Sequence, residues 1–225
     1  MIRFNDVSKR YPGTGDALRN VYIDISTGEF VFLTGHSGAG KSTLLRLIAL
    51  LERPTRGQIV IGGYNLNQIP RSKVPYFRRN VGMVFQNHRL LMDRTVFDNV
   101  ALPMVIAGNR HQEIARRVRA ALDKVGLLKK ERVLPPHLSE GEQQRVGIAR
   151  AVVARPSILL ADEPTGNLDP LLSTEIVSLF GEFNQVGVTV LMASHDVALV
   201  RRSKRRTLVI QEGRVSEGYF PPPNV

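Results

Sequence analysis

Apolar residues along this chain fall into two rhythms. Residues 29–34, 81–85, 157–161 and 188–193 are short, nearly continuous apolar runs bounded by turn-forming or polar residues. Runs of that length, rich in Val, Ile and Leu, predict strands buried on both faces, as in a parallel sheet. Between them the spacing turns helical. Leu44, Leu45, Leu47 and Ile48 predict a helix over 42–51, and 171–183 a helix between the last two runs. Weak alternation over 2–7, over 17–25 (Leu18, Val21, Ile23, Ile25) and over 58–61 predicts three further strands, with 8–15 as a turn-rich loop. Two short strand patterns, 207–210 and 214–216, flank Glu212 and Gly213 near the end.

From about His88 to Pro136 the strand rhythm stops. Helical spacing continues over 96–102, with Asp93 or Thr95 as the cap, and through Ile114, Val118, Ala121, Leu122 and Val125 in a second, Arg-rich helix. This block predicts a helical lobe, 88–136, inserted into an α/β core made of 1–87 and 137–217, with 218–225 as a loose tail.

The first buried run ends in Gly35, His36, Ser37, Gly38, Ala39, Gly40, Lys41 and Ser42, followed by Thr43. This fits G-x-x-x-x-G-K-[ST] in the required setting of strand, loop and helix. Glycines let backbone N–H groups approach phosphate oxygens, and the helix start adds free donors and a favourable dipole. Lys41 is placed to reach the β- and γ-phosphates of ATP, and the Ser42 hydroxyl to ligate Mg²⁺.

The other strand ends supply complementary chemistry. The run 157–161 delivers Asp162 as a Mg²⁺ ligand and Glu163 as a general base for water. His195 follows the next run and is placed to bond the γ-phosphate or orient Glu163. Gln86 follows 81–85 and offers a carbonyl to Mg²⁺ or water and an amide donor. Tyr11, in the loop before the phosphate-binding strand, is placed to stack on adenine or else to pack over the sheet edge.

Composition narrows the class. With no cysteine among 225 residues there is no disulfide, thiolate metal site or cysteine nucleophile. No apolar run approaches the roughly 18 residues of a membrane span, and the N-terminus carries no signal-peptide core, so a cytoplasmic chain is expected. Thirty-one Lys and Arg against 20 Asp and Glu give a net charge of +11. The densest basic cluster, Arg201, Arg202, Lys204, Arg205 and Arg206, reads first as solvated surface and second as a contact with anionic lipid.

One segment is hard to explain by these rules alone: Leu138, Ser139, Glu140, Gly141, Glu142, Gln143 and Gln144. It resembles the LSGGQ signature of ABC-transporter ATPases. Tyr11, the loop 35–42, Gln86, this signature, Asp162 with Glu163, then Asn167, Leu168 and Asp169, and finally His195 stand in that family's order along nearly the whole chain. Segments 161–169 and 86–100 look most like the branch that holds LolD, MacB and the cell-division ATPases, and closest to the last.

The resemblance implies a P-loop NTPase core with a RecA-like mixed sheet and flanking helices, an N-terminal antiparallel β subdomain and the inserted α-helical subdomain. It implies an ATP hydrolase using ATP and Mg²⁺, with Ser42, Gln86 and Asp162 around the metal. It further implies a head-to-tail homodimer on ATP binding, in which Ser139 and the Gly141 N–H reach the other chain's γ-phosphate. Asn167, Leu168 and Asp169 would form the interface loop. An integral membrane partner resembling FtsX would seat a helix on the lobe and hold the chain at the cytoplasmic face of the inner membrane, with other division proteins as further partners.

Two other readings stay open. One is an ATPase for lipoprotein release or export. The other is a soluble DNA clamp, disfavoured because the 97 residues between Lys41 and Ser139 hold no heptad run; no specific nucleic acid is expected. Glu140 departs from the pattern by replacing a glycine. A carboxylate about 6 Å from the γ-phosphate would cost roughly 3 kcal/mol per unit charge at an effective dielectric near 20. Function is expected to survive, with ATP-driven dimerisation weaker than the family norm.

Overall fold

The structure, a computed structural model, describes residues 1–13 and 15–218. Its strands are β1 (Ile2–Tyr11), β2 (Gly15–Ile25), β3 (Phe30–Thr34), β4 (Arg56–Ile61), β5 (Tyr64–Asn65), β6 (Val81–Val84), β7 (Ile158–Asp162), β8 (Thr189–Ala193), β9 (Arg206–Gln211) and β10 (Arg214–Glu217). Its helices are α1 (Lys41–Ile48), α2 (Val74–Arg78), α3 (Val96–Ile106), α4 (His111–Lys124), α5 (Glu140–Val152), α6 (Pro170–Gln185) and α7 (Val197–Ser203).

A six-stranded sheet runs in the order β10-β9-β3-β8-β7-β6. All its pairings are parallel except the β9–β10 hairpin. A second sheet, β2-β1-β4-β5, is antiparallel throughout. This is the mixed α/β fold of a P-loop NTPase with an antiparallel β sheet beside it.

Strand alternation divides the interior into two cores. Phe32, Leu159, Ala161, Val190 and Met192 face the helices, packing with Val100, Val118, Leu122, Val146, Ile148 and Phe180. Val31, Leu33, Leu160, Leu191 and Ala193 face the other way, toward Leu44, Leu45, Leu47 and Ile48 of α1 and toward Ile2, Phe4, Leu18 and Ile59 of the antiparallel sheet. Both faces of the parallel strands are buried, which is why their sequences are continuous rather than alternating.

Register brings the strand ends level. Leu33 pairs with Ala193, Asp162 with Ala193, and Val84 with Ala161. The loops that follow β3, β6, β7 and β8 therefore leave the sheet along one edge, where parallel sheets form their ligand crevices.

Thr95 caps α3 with a complete capping box: its hydroxyl accepts from the Asp98 N–H, and the Asp98 carboxylate accepts from the Thr95 N–H. Helix α5 packs on α3, α4 and β6 together, so it joins the helical segment to the sheet.

Several expectations need correction. Strand β1 does not stop at Val7; it runs to Tyr11 because Lys9, Arg10 and Tyr11 pair with Leu18, Asp16 and Gly15. Tyr11 is thus a strand residue, not a loop residue. Helix α1 ends at Ile48, before the apolar run does, because Leu50 takes a left-handed φ of 53°. Helix α7 was not expected and carries Arg201 and Arg202 in its last turn. Arg206 of the basic cluster is held by Glu29 and Glu217. Of the tail, only Gly218 lies among the described residues. Among those residues, no helix is long and apolar enough to cross a membrane.

Candidate functional site

A cleft of about 600 Å³ opens where the strands end, lined by Gly35, His36, Ser37, Gly38, Gly40, Lys41, Ser42, Thr43, Gln86, Glu163 and His195, together with Thr34 and Val197. The loop between β3 and α1 holds its shape through glycine. Gly40 has φ 115°, and a Cβ there would lie 2.5 Å from the Ala17 carbonyl oxygen of β2. Ala39, itself partly buried, packs against the core beneath the loop and does not line the cleft.

Lys41 is buried, and its ammonium donates to the carbonyls of Gly35 (2.9 Å) and His36 (3.2 Å). It also lies 3.2 Å from the Glu163 carboxylate. A cation so placed inside a loop of backbone N–H groups is suited to an anionic ligand.

Ser42 donates from its hydroxyl to Asp162 at 2.9 Å. Burial raises the Asp162 carboxyl above its ordinary range, with neighbouring Glu163 adding to the effect and the Ser42 bond opposing it. Two hard oxygens at one point, one of them a half-buried carboxylate, fit Mg²⁺, which takes a few protein oxygens and completes its shell with phosphate and water. Among the described residues no cluster of three His, Cys, Asp or Glu forms an all-protein metal cage, and a Mg²⁺ site of this kind needs none.

Glu163 sits one residue past β7 in a left-handed conformation, φ 52°. Its N–H donates to the Ala193 carbonyl at 3.1 Å, anchoring it to β8. One carboxylate oxygen is near Lys41; the other accepts from the His195 N–H (3.2 Å) and meets His195 Nδ1 at 2.6 Å. The carboxylate is therefore fixed from both sides. Gly166 faces His195 and Gln86 together: a Cβ there would lie 3.8 Å from the His195 ring and 3.9 Å from the Gln86 amide.

The other predicted residues lie elsewhere. Ser139 caps α5, its hydroxyl accepting from the Glu142 N–H while Glu142 accepts from the Ser139 N–H. Lys130 binds Glu142 at 2.5 Å and, with the Ser139 N–H, lowers its pKa from the ordinary value against a smaller effect of burial. Leu138 is buried, and Gln143 donates to the carbonyls of Pro135 and Leu138. Gly141 abuts the Leu172 side chain of α6, and a Cβ there would lie 2.3 Å from Leu172 Cδ2, so that methyl would have to move aside. Glu140 accepts from the Asn167 amide at 2.9 Å. Asp169 caps α6 by accepting from Leu171 and Leu172, and Leu168 packs against the core. Among the described residues, none of Leu138, Ser139, Glu140, Gly141, Glu142 or Gln143 lines the cleft.

Tyr11 lies outside the cleft as well, in a separate depression with Arg10, Pro12, Gly13, Gly15 and Thr55. The Lys9 ammonium sits over its ring, 4.9 Å from the centroid.

A tether behind Gln86 was not foreseen. His88 and Arg89 both take left-handed φ, 44° and 49°. The Arg150 guanidinium of α5 bonds the carbonyls of both, the latter at 2.7 Å, and His88 Nδ1 meets Gln144 Oε1 at 2.5 Å. Burial lowers the Arg150 pKa. Asn99, fully buried, braces the same loop by accepting from the Leu91 N–H and donating to the carbonyls of Leu91, Arg94 and Thr95. A polar residue inside the apolar face of α3 was the only sequence signal for any of this.

Comparison with known proteins places this geometry. The family model described as ABC transporter matches residues 18–166. The cell division ATP-binding protein FtsE of Escherichia coli strain K12 is 58% identical over 218 residues, covering 97% of this chain and 98% of that one. FtsE of Haemophilus influenzae is 50% identical over 214 residues, covering 95% of this chain and 98% of its own. A solved dimeric post-hydrolysis state of the ATP-binding cassette MJ0796, bound to ADP and Pi, matches 99% of this chain and 100% of that one, with TM-score 0.89 and 34% identity.

Proposed function

The chain belongs to the ABC transporter ATPase family, and from that premise we propose that two copies close head to tail around two ATP molecules, as the ATP-hydrolysing pair of an FtsEX-type cell-division complex. The chain is an ATP hydrolase, forming ADP and phosphate, and its function is that of the FtsE-type subunit in cell division. The observation that carries the two-chain reading is a separation. The signature residues, though they form a capped helix start with free N–H donors suited to phosphate, do not line their own chain's cleft. A second copy would bring them to it.

In this reading the loop 35–42 cradles the phosphates, and Lys41 turns from the Gly35 and His36 carbonyls to the β- and γ-oxygens. Ser42, Asp162 and Gln86 hold Mg²⁺, which when bound neutralises phosphate charge. Glu163 accepts a proton from the attacking water, and His195 fixes its carboxylate for that task. Ser139 and the Gly141 N–H of the other copy bind the γ-phosphate oxygens. Asn167, Leu168 and Asp169 lie at the joint between copies. Tyr11 stacks on adenine in this reading only if the Lys9 ammonium shares or leaves its ring face.

The membrane partner, of the FtsX kind, seats an amphipathic helix against the helical segment. Leu91, Met92, Val105 and Ile106 expose apolar side chains there, on the loop behind Gln86 and at the end of α3. Such a contact holds the chain at the cytoplasmic face of the inner membrane. The test is capture from bacterial membranes with the Glu163→Gln chain, ATP and Mg²⁺, read by mass spectrometry. Recovery of a four-span division protein with a large extracytoplasmic domain is the expected result. Recovery of an export or lipoprotein-release permease instead would overturn the division assignment and leave the ATPase chemistry intact.

A further inference from the structure

Glu140 stands where the family pattern has glycine, at the first turn of α5, and its carboxylate is engaged. It accepts from the Asn167 side-chain amide of its own chain at 2.9 Å. This bond lies at the end of a wider seam between α5 and α6. Gly141 rests directly on Leu172, and Arg145 reaches Glu175 at 3.8 Å. The neighbouring Glu142 is committed elsewhere, to the cap and to Lys130, so Glu140 is the acidic side chain of this turn that faces the loop.

Asn167 is joined to the Glu163 carboxylate by a stiff path. Gly166 N–H donates back to the Glu163 carbonyl and Leu168 N–H to the Thr165 carbonyl, so two overlapping turns span residues 163–168. Asp169 then locks the start of α6. Asn167 therefore lies four residues along this turned segment from Glu163, whose carboxylate meets Lys41 and His195.

We propose that Glu140 is a positioning residue: with Asn167 it forms a latch inside each chain that must open before two chains close on ATP. The inference rests on the head-to-tail pairing proposed above. Closure needs the Asn167 loop free to meet the other copy, and it needs the α5 start presented to phosphate without a carboxylate in the path. The latched carboxylate meets neither condition. The latch therefore sets the ATP concentration at which closure occurs. One exposed pair of this kind shifts an equilibrium by about 1.4- to 5-fold, and a dimer opens two; because closure takes up two ATP, the half-maximal ATP concentration moves by the square root of the combined shift, about 1.4- to 5-fold.

The test uses the full chain carrying Glu163→Gln, which slows hydrolysis, and measures dimer fraction against ATP concentration by sedimentation velocity. Glu140→Ala lowers the half-maximal ATP concentration by that factor. Glu140→Gln, which keeps an oxygen acceptor for the Asn167 amide, stays near the parent. In an Asn167→Ala background Glu140→Ala has no further effect, because the latch is already open. Three outcomes overturn the latch. One is an unchanged or raised requirement in Glu140→Ala, another is Glu140→Gln behaving as Ala, which assigns the effect to charge, and the third is additivity with Asn167→Ala. If the Glu163→Gln parent itself shows no ATP-dependent dimer, the pairing fails rather than the latch, and the two failures are distinguishable.

Discussion

Replacing Gly40 by alanine tests whether the phosphate-binding loop is held by the antiparallel sheet rather than by its own turns. The added Cβ would sit 2.5 Å from the Ala17 carbonyl oxygen and 3.0 Å from Leu18 Cδ2. An ordinary carbon–oxygen contact is about 3.3 Å, so the loop or β2 must yield by roughly 0.8 Å. Both resist: Leu18 is fully buried, and β2 is paired with β1. Gly40 also has φ 115°, beyond even the left-handed well, where an L-residue loses about 1–2 kcal/mol or more. Adding about 1–3 kcal/mol for the forced overlap gives a total of about 2–5 kcal/mol. Gly38→Ala is the internal control. Its φ is 78° and nothing lies within 4 Å of the new Cβ, so it bears only the backbone cost, about 1–2 kcal/mol. Urea unfolding of the two variants, compared at equal m-value, should separate them by about 2 kcal/mol. Titration with a fluorescent ATP analogue should show Gly40→Ala binding far more weakly than Gly38→Ala. Equal midpoints would refute the reasoning, because they would mean that the sheet does not constrain the loop.

Other expectations follow from contacts already described. Glu163→Gln should lower steady-state phosphate release by about 10²–10⁴-fold while ATP binding persists; turnover at the parent rate would remove Glu163 from its role. Arg150→Met deletes the donors to the His88 and Arg89 carbonyls and should destabilise by about 1.5–3 kcal/mol, with faster hydrogen exchange confined to residues 87–94. Uniform exchange changes would argue against a local tether. Glu142→Gln breaks the bond to Lys130 and weakens the cap, costing about 1 kcal/mol at neutral pH. The Glu142 pKa is lowered in the folded chain, so its contribution is present above the unfolded value and fades as pH falls through the folded one. Parent and variant unfolding curves should therefore converge in acid, and a gap that persists there would contradict this assignment.

What could be read from the sequence was local. The phosphate loop, the buried strands and the residues just past them announce themselves because glycine, lysine and carboxylate chemistry is tied to fixed spacing. What escaped depends on distant partners. Strand β1 continues through Ser8, Lys9 and Arg10, none of them apolar, because Gly15, Asp16 and Leu18 in β2 and Arg56 in β4 pair with this stretch. Helix α7 is seven residues long and ends in basic residues, so its clearest local signal was the Asp196 cap. Asn99, at 0% exposure, is the buried brace of the loop before it, and the bonds that make it so reach Leu91 and Arg94 outside its own helix. The Glu140–Asn167 bond spans 27 positions and the His88–Gln144 contact 56, separations that no periodicity reports.

Helix α5 has thirteen residues and is about 20 Å long. Its first residue carries the Asn167 contact, Gln144 lies a little over a turn further in, and Arg150 stands near its far end. A rod of this length, seated in a packed core, turns as one piece rather than bending. The loop behind Gln86 is fastened to that rod at two heights, so it is geared to it: a tilt that moves the tip sideways must drag His88 and Arg89 along. The next residues of that loop are Leu90, Leu91 and Met92, with Leu91 bonded at its backbone to Asn99, so the exposed apolar side chains of Leu91 and Met92 stand two to three residues from the tether.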